Sequence, residues 1–109
     1  MIRKRMKTSP PSGQIQRVLF AAKVRSARAV LGWSQTELGK RIGLTQRAIY
    51  RIENAAAQPR ESTELRIHKA FADAGVQFEQ LSNSGFKMAV PGRVLHAVGR
   101  NCGRRHQHD

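Results

Sequence analysis

Residues 35–54 read QTELGKRIGLTQRAIYRIEN, and the three residues Gly43-Leu44-Thr45 inside that stretch constrain the fold more than any others. Leu38 and Ile42 stand four apart on one side, and Ile49 and Ile52 three apart on the other, so each flank carries one apolar stripe at helical spacing. Two short amphipathic helices are predicted. The link between them is short enough to force a sharp angle. Ser34 and Thr45 stand just ahead of the two segments, where a hydroxyl can accept a hydrogen bond from an orphan amide of the first turn. Gly43 suits the end of the first helix, because a left-handed residue costs glycine almost nothing.

A chain of 109 residues supports one small domain, and residues 16–90 alone can bury a single modest core. The formal net charge is +13, with a pI near 11.6, and it is uneven: residues 1–16 carry +4, residues 81–109 another +4, and the centre +5. Such a balance favours a polyanion. Nucleic acid is the usual one, although a basic chain can also adsorb to an anionic membrane surface. No apolar run approaches the ~18 residues of a membrane helix, and no hydrophobic region follows the basic N-terminus as in a signal peptide. A cytoplasmic protein, nucleoid-associated when bound to DNA, is expected. The single cysteine, Cys102, cannot form an internal disulfide, which agrees with a reducing compartment.

In chain order, residues 1–13 combine basic residues with Pro10, Pro11 and Gly13 and lack an apolar period, so they read as a flexible basic arm. From Gln14 to Leu31, Phe20, Val24, Ala27 and Leu31 form a helical stripe. Arg17, Lys23 and Arg25 lie off it on the wet face. Arg28 borders the stripe and needs a carboxylate if it is even partly buried. Gly32 ends this helix, and Trp33 reads as a core plug. After a proline-containing loop, Ser62 is expected to cap a helix over residues 63–74 with the stripe Ile67, Ala70, Phe71 and Ala74, stopped by Gly75. Leu65 falls off that stripe, and His68 is expected on the wet side. Residues 76–81 and 86–90 alternate apolar and polar around Asn83-Ser84-Gly85, which predicts a hairpin. A lone ribbon is marginal in water, so this one should pack on the last helix or extend a sheet across a dimer. Residues 91–109 show no period and are expected to be a disordered basic tail.

Residues 24–78, about half of the chain, resemble the Cro and phage-repressor (XRE) type helix-turn-helix proteins of bacteria. The matching words are RSARAVLGWSQTELGKRIGLTQRAIYRIEN, then a proline-containing loop and a helix ending in ADAGVQFE. The resemblance implies a recognition helix beginning at Gln46, its N-terminal residues against base edges in the major groove, while the helix beginning at Gln35 crosses the backbone. Gln35 would brace Gln46 and contact a phosphate. Gln46 would pair with adenine or donate to guanine, Arg47 and Arg51 would read guanine, and Tyr50 would use its hydroxyl or touch a thymine methyl. Ser34, Thr45 and Asn54 would hold phosphates. An ion pair between the first helix and the recognition helix maps to Arg28 and Glu53 and is assigned to structure. One departure is Gly39, at a position usually filled by alanine; glycine fits but weakens the helix by roughly 0.5–1 kcal/mol.

Gln46, Arg47, Tyr50 and Arg51 could instead be a solvated helical face. His96, Cys102, His106 and His108 match no common zinc spacing, and Cys102 with His106 lacks a scaffold for nucleophilic chemistry. No catalytic, cofactor or metal residue is assigned. The expected molecule is mostly helical: a compact helix-turn-helix domain of about four helices, lambda-repressor-like, over residues 14–90, with a short C-terminal hairpin. Its expected role is sequence-specific regulation of transcription, as a repressor acting as a homodimer on a two-fold site in double-stranded DNA. The alternative is an antitoxin that binds a protein toxin and regulates its own expression through the same domain.

Overall fold

A computed structural model of the chain describes residues 12–82 and 85–97. The arm up to residue 11, Asn83-Ser84 at the hairpin tip, and the tail from residue 98 with Cys102, His106 and His108 lie outside the described residues. Among the described residues, α1 spans Ser12–Leu31, α2 Gln35–Ile42, α3 Gln46–Glu53 and α4 Glu61–Asp73. Strands β1 (Gln77–Gln80) and β2 (Phe86–Ala89) follow, and a short helix, α5, covers residues 92–97. Helix α1 starts at Ser12, two residues ahead of the boundary expected from the periodicity. No helix is long and apolar enough to cross a membrane.

Local chemistry explains the helix ends. Gly32 is left-handed (φ 71°) at the end of α1, where its own amide reaches the Ala29 carbonyl and the Trp33 amide reaches Arg28. Both hydrogen bonds satisfy carbonyls that the helix leaves orphaned. Gly43 (φ 78°) repeats the device after α2, with the amides of Gly43 and Leu44 both directed at the Gly39 carbonyl. After α3 the left-handed residue is Ala55, at φ 57°. Its Cβ makes that conformation costly. Ser34 and Thr45 cap α2 and α3, their hydroxyl oxygens accepting from the amides of Glu37 and Ala48 at 2.9 and 3.1 Å.

Helix α4 corrects one expectation. It begins at Glu61 behind an N-cap Arg60 that makes no side-chain cap bond, so Ser62 is not the cap. Arg60 itself is extended, and Glu61 and Glu64 place negative charge in the first turn, where the helix dipole favours it.

The core joins all these elements. Phe20, Val24, Ala27 and Leu31 of α1 meet Leu38 and Ile42 of α2, Ile49 and Ile52 of α3, and Ile67 and Phe71 of α4. Burying each large side chain contributes about 1.5–3 kcal/mol. Trp33 stacks on Phe71 at 5.8 Å and carries the Arg41 guanidinium 4.0 Å above its ring. The hairpin pairs Phe78 with Met88 and Gln80 with Phe86. Its apolar face lies on the core, Phe78 meeting Phe71 edge-on, which is how so short a ribbon holds together.

The lack of a period after Pro91 predicts disorder, yet in α5 Val94 is buried in the core. Its side chain fills the space over Gly75, where an added Cβ would stand 2.6 Å from Val94 Cγ2. A single buried contact leaves no periodic trace in the sequence.

Gly39 also differs from expectation. Propensity alone says that alanine should improve α2, but a Cβ there would collide with the Leu44 carbonyl oxygen, which belongs to backbone fixed by the turn. A forced backbone shift costs roughly 1–3 kcal/mol, more than the ~1 kcal/mol of propensity gained. Gly39→Ala is therefore expected to lower the denaturation midpoint. Ala55→Gly, by contrast, should raise the midpoint through a gain in stability of up to about 1 kcal/mol, because it relieves the left-handed alanine. Urea titration of both variants checks the pair of signs.

His68 is not on the wet side. It is half-buried, edge-on to Phe20 at 5.5 Å and tilted against Phe78 at 6.2 Å. Burial lowers its pKa below the ordinary 6.5, the nearby Lys23 ammonium lowers it further, and Glu64 opposes both. The folded state thus binds the His68 proton less readily than the unfolded chain does. This contribution to stability is present above the ordinary histidine pKa and is lost as pH falls through the lowered one. His68→Gln should flatten the loss of melting temperature between pH 7.5 and pH 5; an unchanged slope would contradict it.

Candidate nucleic-acid interface

Helix α3 is held from behind by two arginines of α1. Arg28 grips Glu53 with two prongs, Nε to Oε2 at 2.6 Å and Nη2 to Oε1 at 3.0 Å, while its Nη1 donates to the Trp33 carbonyl at 2.8 Å. Glu53 is 3% exposed and the Arg28 side chain 23%. Arg25 donates from Nη1 to the Glu53 carbonyl at 2.5 Å, so it serves an orphan carbonyl at the end of α3 and is more than a wet-face cation. No buried side-chain nitrogen or oxygen among the described residues lacks a partner.

The same carboxylate reaches toward the open side of the motif. Glu53 Oε1 accepts from Gln35 Nε2 at 3.0 Å, and Gln35 Oε1 accepts from Gln46 Nε2 at 2.5 Å. The first residues of α2 and α3 are thereby tied together. Arg66 of α4 donates to the Ile42 carbonyl at 2.8 Å, which fastens the end of α2 just before the turn.

On α3 itself, Ile49, Ile52 and Glu53 are buried and the other face is open. Gln46, Arg47, Tyr50 and Arg51 are exposed, Tyr50 by 49%. At 3.6 residues per turn they share roughly 140° of arc. Neither Arg47 nor Arg51 has a carboxylate partner among the described residues. The face is therefore cationic and unneutralised.

Ser34, Thr45 and Asn54 stand at the rims. The first two cap helices with an oxygen lone pair, which leaves each O–H proton available to an outside acceptor. Asn54 donates one amide hydrogen to the Tyr50 carbonyl at 2.8 Å and keeps the other. Gln35 uses both ends of its amide on Glu53 and Gln46, with one N–H left over. Sequence reading misses Arg25 because its spacing puts it off the apolar stripe, and nothing local shows how far a guanidinium reaches.

Residues 24–72 match the family model described as helix-turn-helix, whereas curated proteins and solved structures give no significant match to the chain. This family is one of DNA-binding regulatory domains and not of enzymes. The matched segment runs from the middle of α1 through α4 and includes both capped helices, the Gly43 turn and the Arg28–Glu53 pair. Residues 24–72, a little under half of the chain, thus carry a helix-turn-helix segment matching the Cro/C1 (XRE) type, a family of DNA-binding transcription regulators.

Proposed function

We propose that the protein is a sequence-specific repressor that binds a two-fold operator as a homodimer, with α3 in the major groove and the start of α2 across the phosphate backbone. The observation that carries this reading is the outward face of α3: Gln46, Arg47, Tyr50 and Arg51 lie together, unpaired with any carboxylate among the described residues, on a helix anchored by Arg25 and Arg28. Arg47 and Arg51 read guanine by donating to O6 and N7, Gln46 reads a purine, and Tyr50 contacts a thymine methyl or donates its hydroxyl. Ser34, Gln35, Thr45 and Asn54 donate to phosphates and set the register without reading sequence.

Dimerisation follows from reach. An α3 of eight residues contacts only a few base pairs, so discrimination comes from two copies, joined through the hairpin or α4. Selection of bound duplexes from random DNA by the full chain is the test. An inverted repeat with half-sites about one helical turn apart is expected. Enrichment of a single half-site in a monomer-sized complex would overturn the dimer, and no enrichment at all would overturn specific binding.

A further inference from the structure

We infer that Glu53, acting through Gln35, fixes which way the Gln46 amide faces and hence which purine Gln46 prefers; this rests on α3 being the helix that reads bases. A carboxylate can only accept hydrogen bonds. Both oxygens of Glu53 accept from Arg28, and Oε1 accepts from Gln35 as well. Gln35 must therefore turn its NH2 group toward Glu53, which leaves its Oε1 facing Gln46. Gln46 must in turn donate, and it does so from Nε2 at 2.5 Å.

A glutamine amide has nearly the same shape either way round, so packing does not choose its orientation. The hydrogen-bond chain does. With one N–H committed to Gln35, Gln46 is left with its Oε1 and one N–H, an acceptor beside a donor. Adenine offers the complement in the major groove, a donor at N6 and an acceptor at N7. Turned over, Gln46 would present only its NH2, which suits the two acceptors O6 and N7 of guanine. The buried acid is thus a positioning residue for readout, in addition to locking α3 to α1.

Glu53→Gln reverses the chain. The amide introduced in this variant keeps its oxygen for Arg28 Nε and turns its NH2 to Gln35 Oε1, in place of the oxygen that accepted from both Gln35 and Arg28 Nη2; one Arg28 bond is lost, Gln35 donates to Gln46, and Gln46 shows its NH2 outward. Gln35→Leu cuts the chain at a half-buried position and removes one hydrogen bond to Glu53 while leaving both Arg28–Glu53 bonds in place.

Selection from random duplex DNA is run on the full-length wild type, Gln46→Ala, Glu53→Gln and Gln35→Leu proteins, with circular dichroism confirming that each is folded. The wild type is expected to prefer adenine at the position whose preference Gln46→Ala abolishes. Glu53→Gln should shift that position toward guanine by about tenfold and leave the other positions unchanged. Gln35→Leu should erase adenine–guanine discrimination there alone. A purely structural acid would lower affinity for all sites and leave base preference intact; that result in folded Glu53→Gln overturns the inference. If Glu53→Gln does not fold, Gln35→Leu decides, and a retained adenine preference overturns it equally. A wild-type consensus without a Gln46-dependent adenine also overturns this inference while leaving specific binding in place. Failure of the wild type to select any consensus overturns the proposed function itself.

Discussion

Arg28→Met is expected to destabilise the domain by roughly 3 kcal/mol. For a domain of this size that lowers the melting temperature by roughly 10–20 °C. Methionine keeps most of the aliphatic volume, so the loss comes from what it leaves behind: a carboxylate only 3% exposed, with Gln35 as its one remaining side-chain partner. A second orphan appears at the Trp33 carbonyl, which accepts from Arg28 Nη1. The partial exposure of Arg28 holds the figure at the lower end of the range for breaking a buried pair, because water reaches the gap. Removing both charges is a different experiment. Arg28→Met with Glu53→Leu should recover much of the stability, since an apolar replacement of a buried pair is often neutral. Thermal unfolding of the single and double variants measures the difference; a single variant within about 0.5 kcal/mol of wild type would show that the pair does not lock the helices.

Arg47→Ala is expected to act in the opposite way, on recognition and not on the fold. Arg47 is exposed and has no carboxylate partner among the described residues, so its truncation should change stability by less than about 0.5 kcal/mol. On the selected site it should cost roughly 1–3 kcal/mol per half-site and relax preference at one base position. Titration of labelled duplex, with variants at each position of the site, separates the two effects. A uniform loss over all sequences would make Arg47 a phosphate contact.

The contrast between these two arginines shows what a sequence of this kind discloses. Apolar spacing alone places Leu38, Ile42, Ile49 and Ile52, and local chemistry places the caps Ser34, Thr45 and Gly43, because each depends on neighbours within a turn or two of chain. Arg47 and Arg51 are legible as a face for the same reason. By spacing alone Arg28 is legible only as a residue in need of a carboxylate; its partner Glu53, 25 residues away, comes from the family resemblance and not from any local pattern. Arg25, His68 and Val94 are not legible at all. What Arg25 and His68 do depends on long-range packing, against the end of α3 for one and between Phe20 and Phe78 for the other. Val94 is a single apolar residue over Gly75, with no stripe to announce it. Gly39 is instructive in another way. Intrinsic propensity marks it as a flaw, and the Leu44 carbonyl in the path of its missing Cβ marks it as a requirement.

The central claim is that α3 discriminates among DNA sequences, and that the +13 charge of the chain supplies affinity but not choice. It is tested most directly by measuring the dissociation constant of the full chain for its selected duplex and for a scrambled duplex of equal length and composition, across a range of salt concentrations. A preference of at least about a thousandfold for the selected duplex is predicted, persisting as both affinities fall with salt. Equal affinity for the two duplexes at every salt concentration would contradict it.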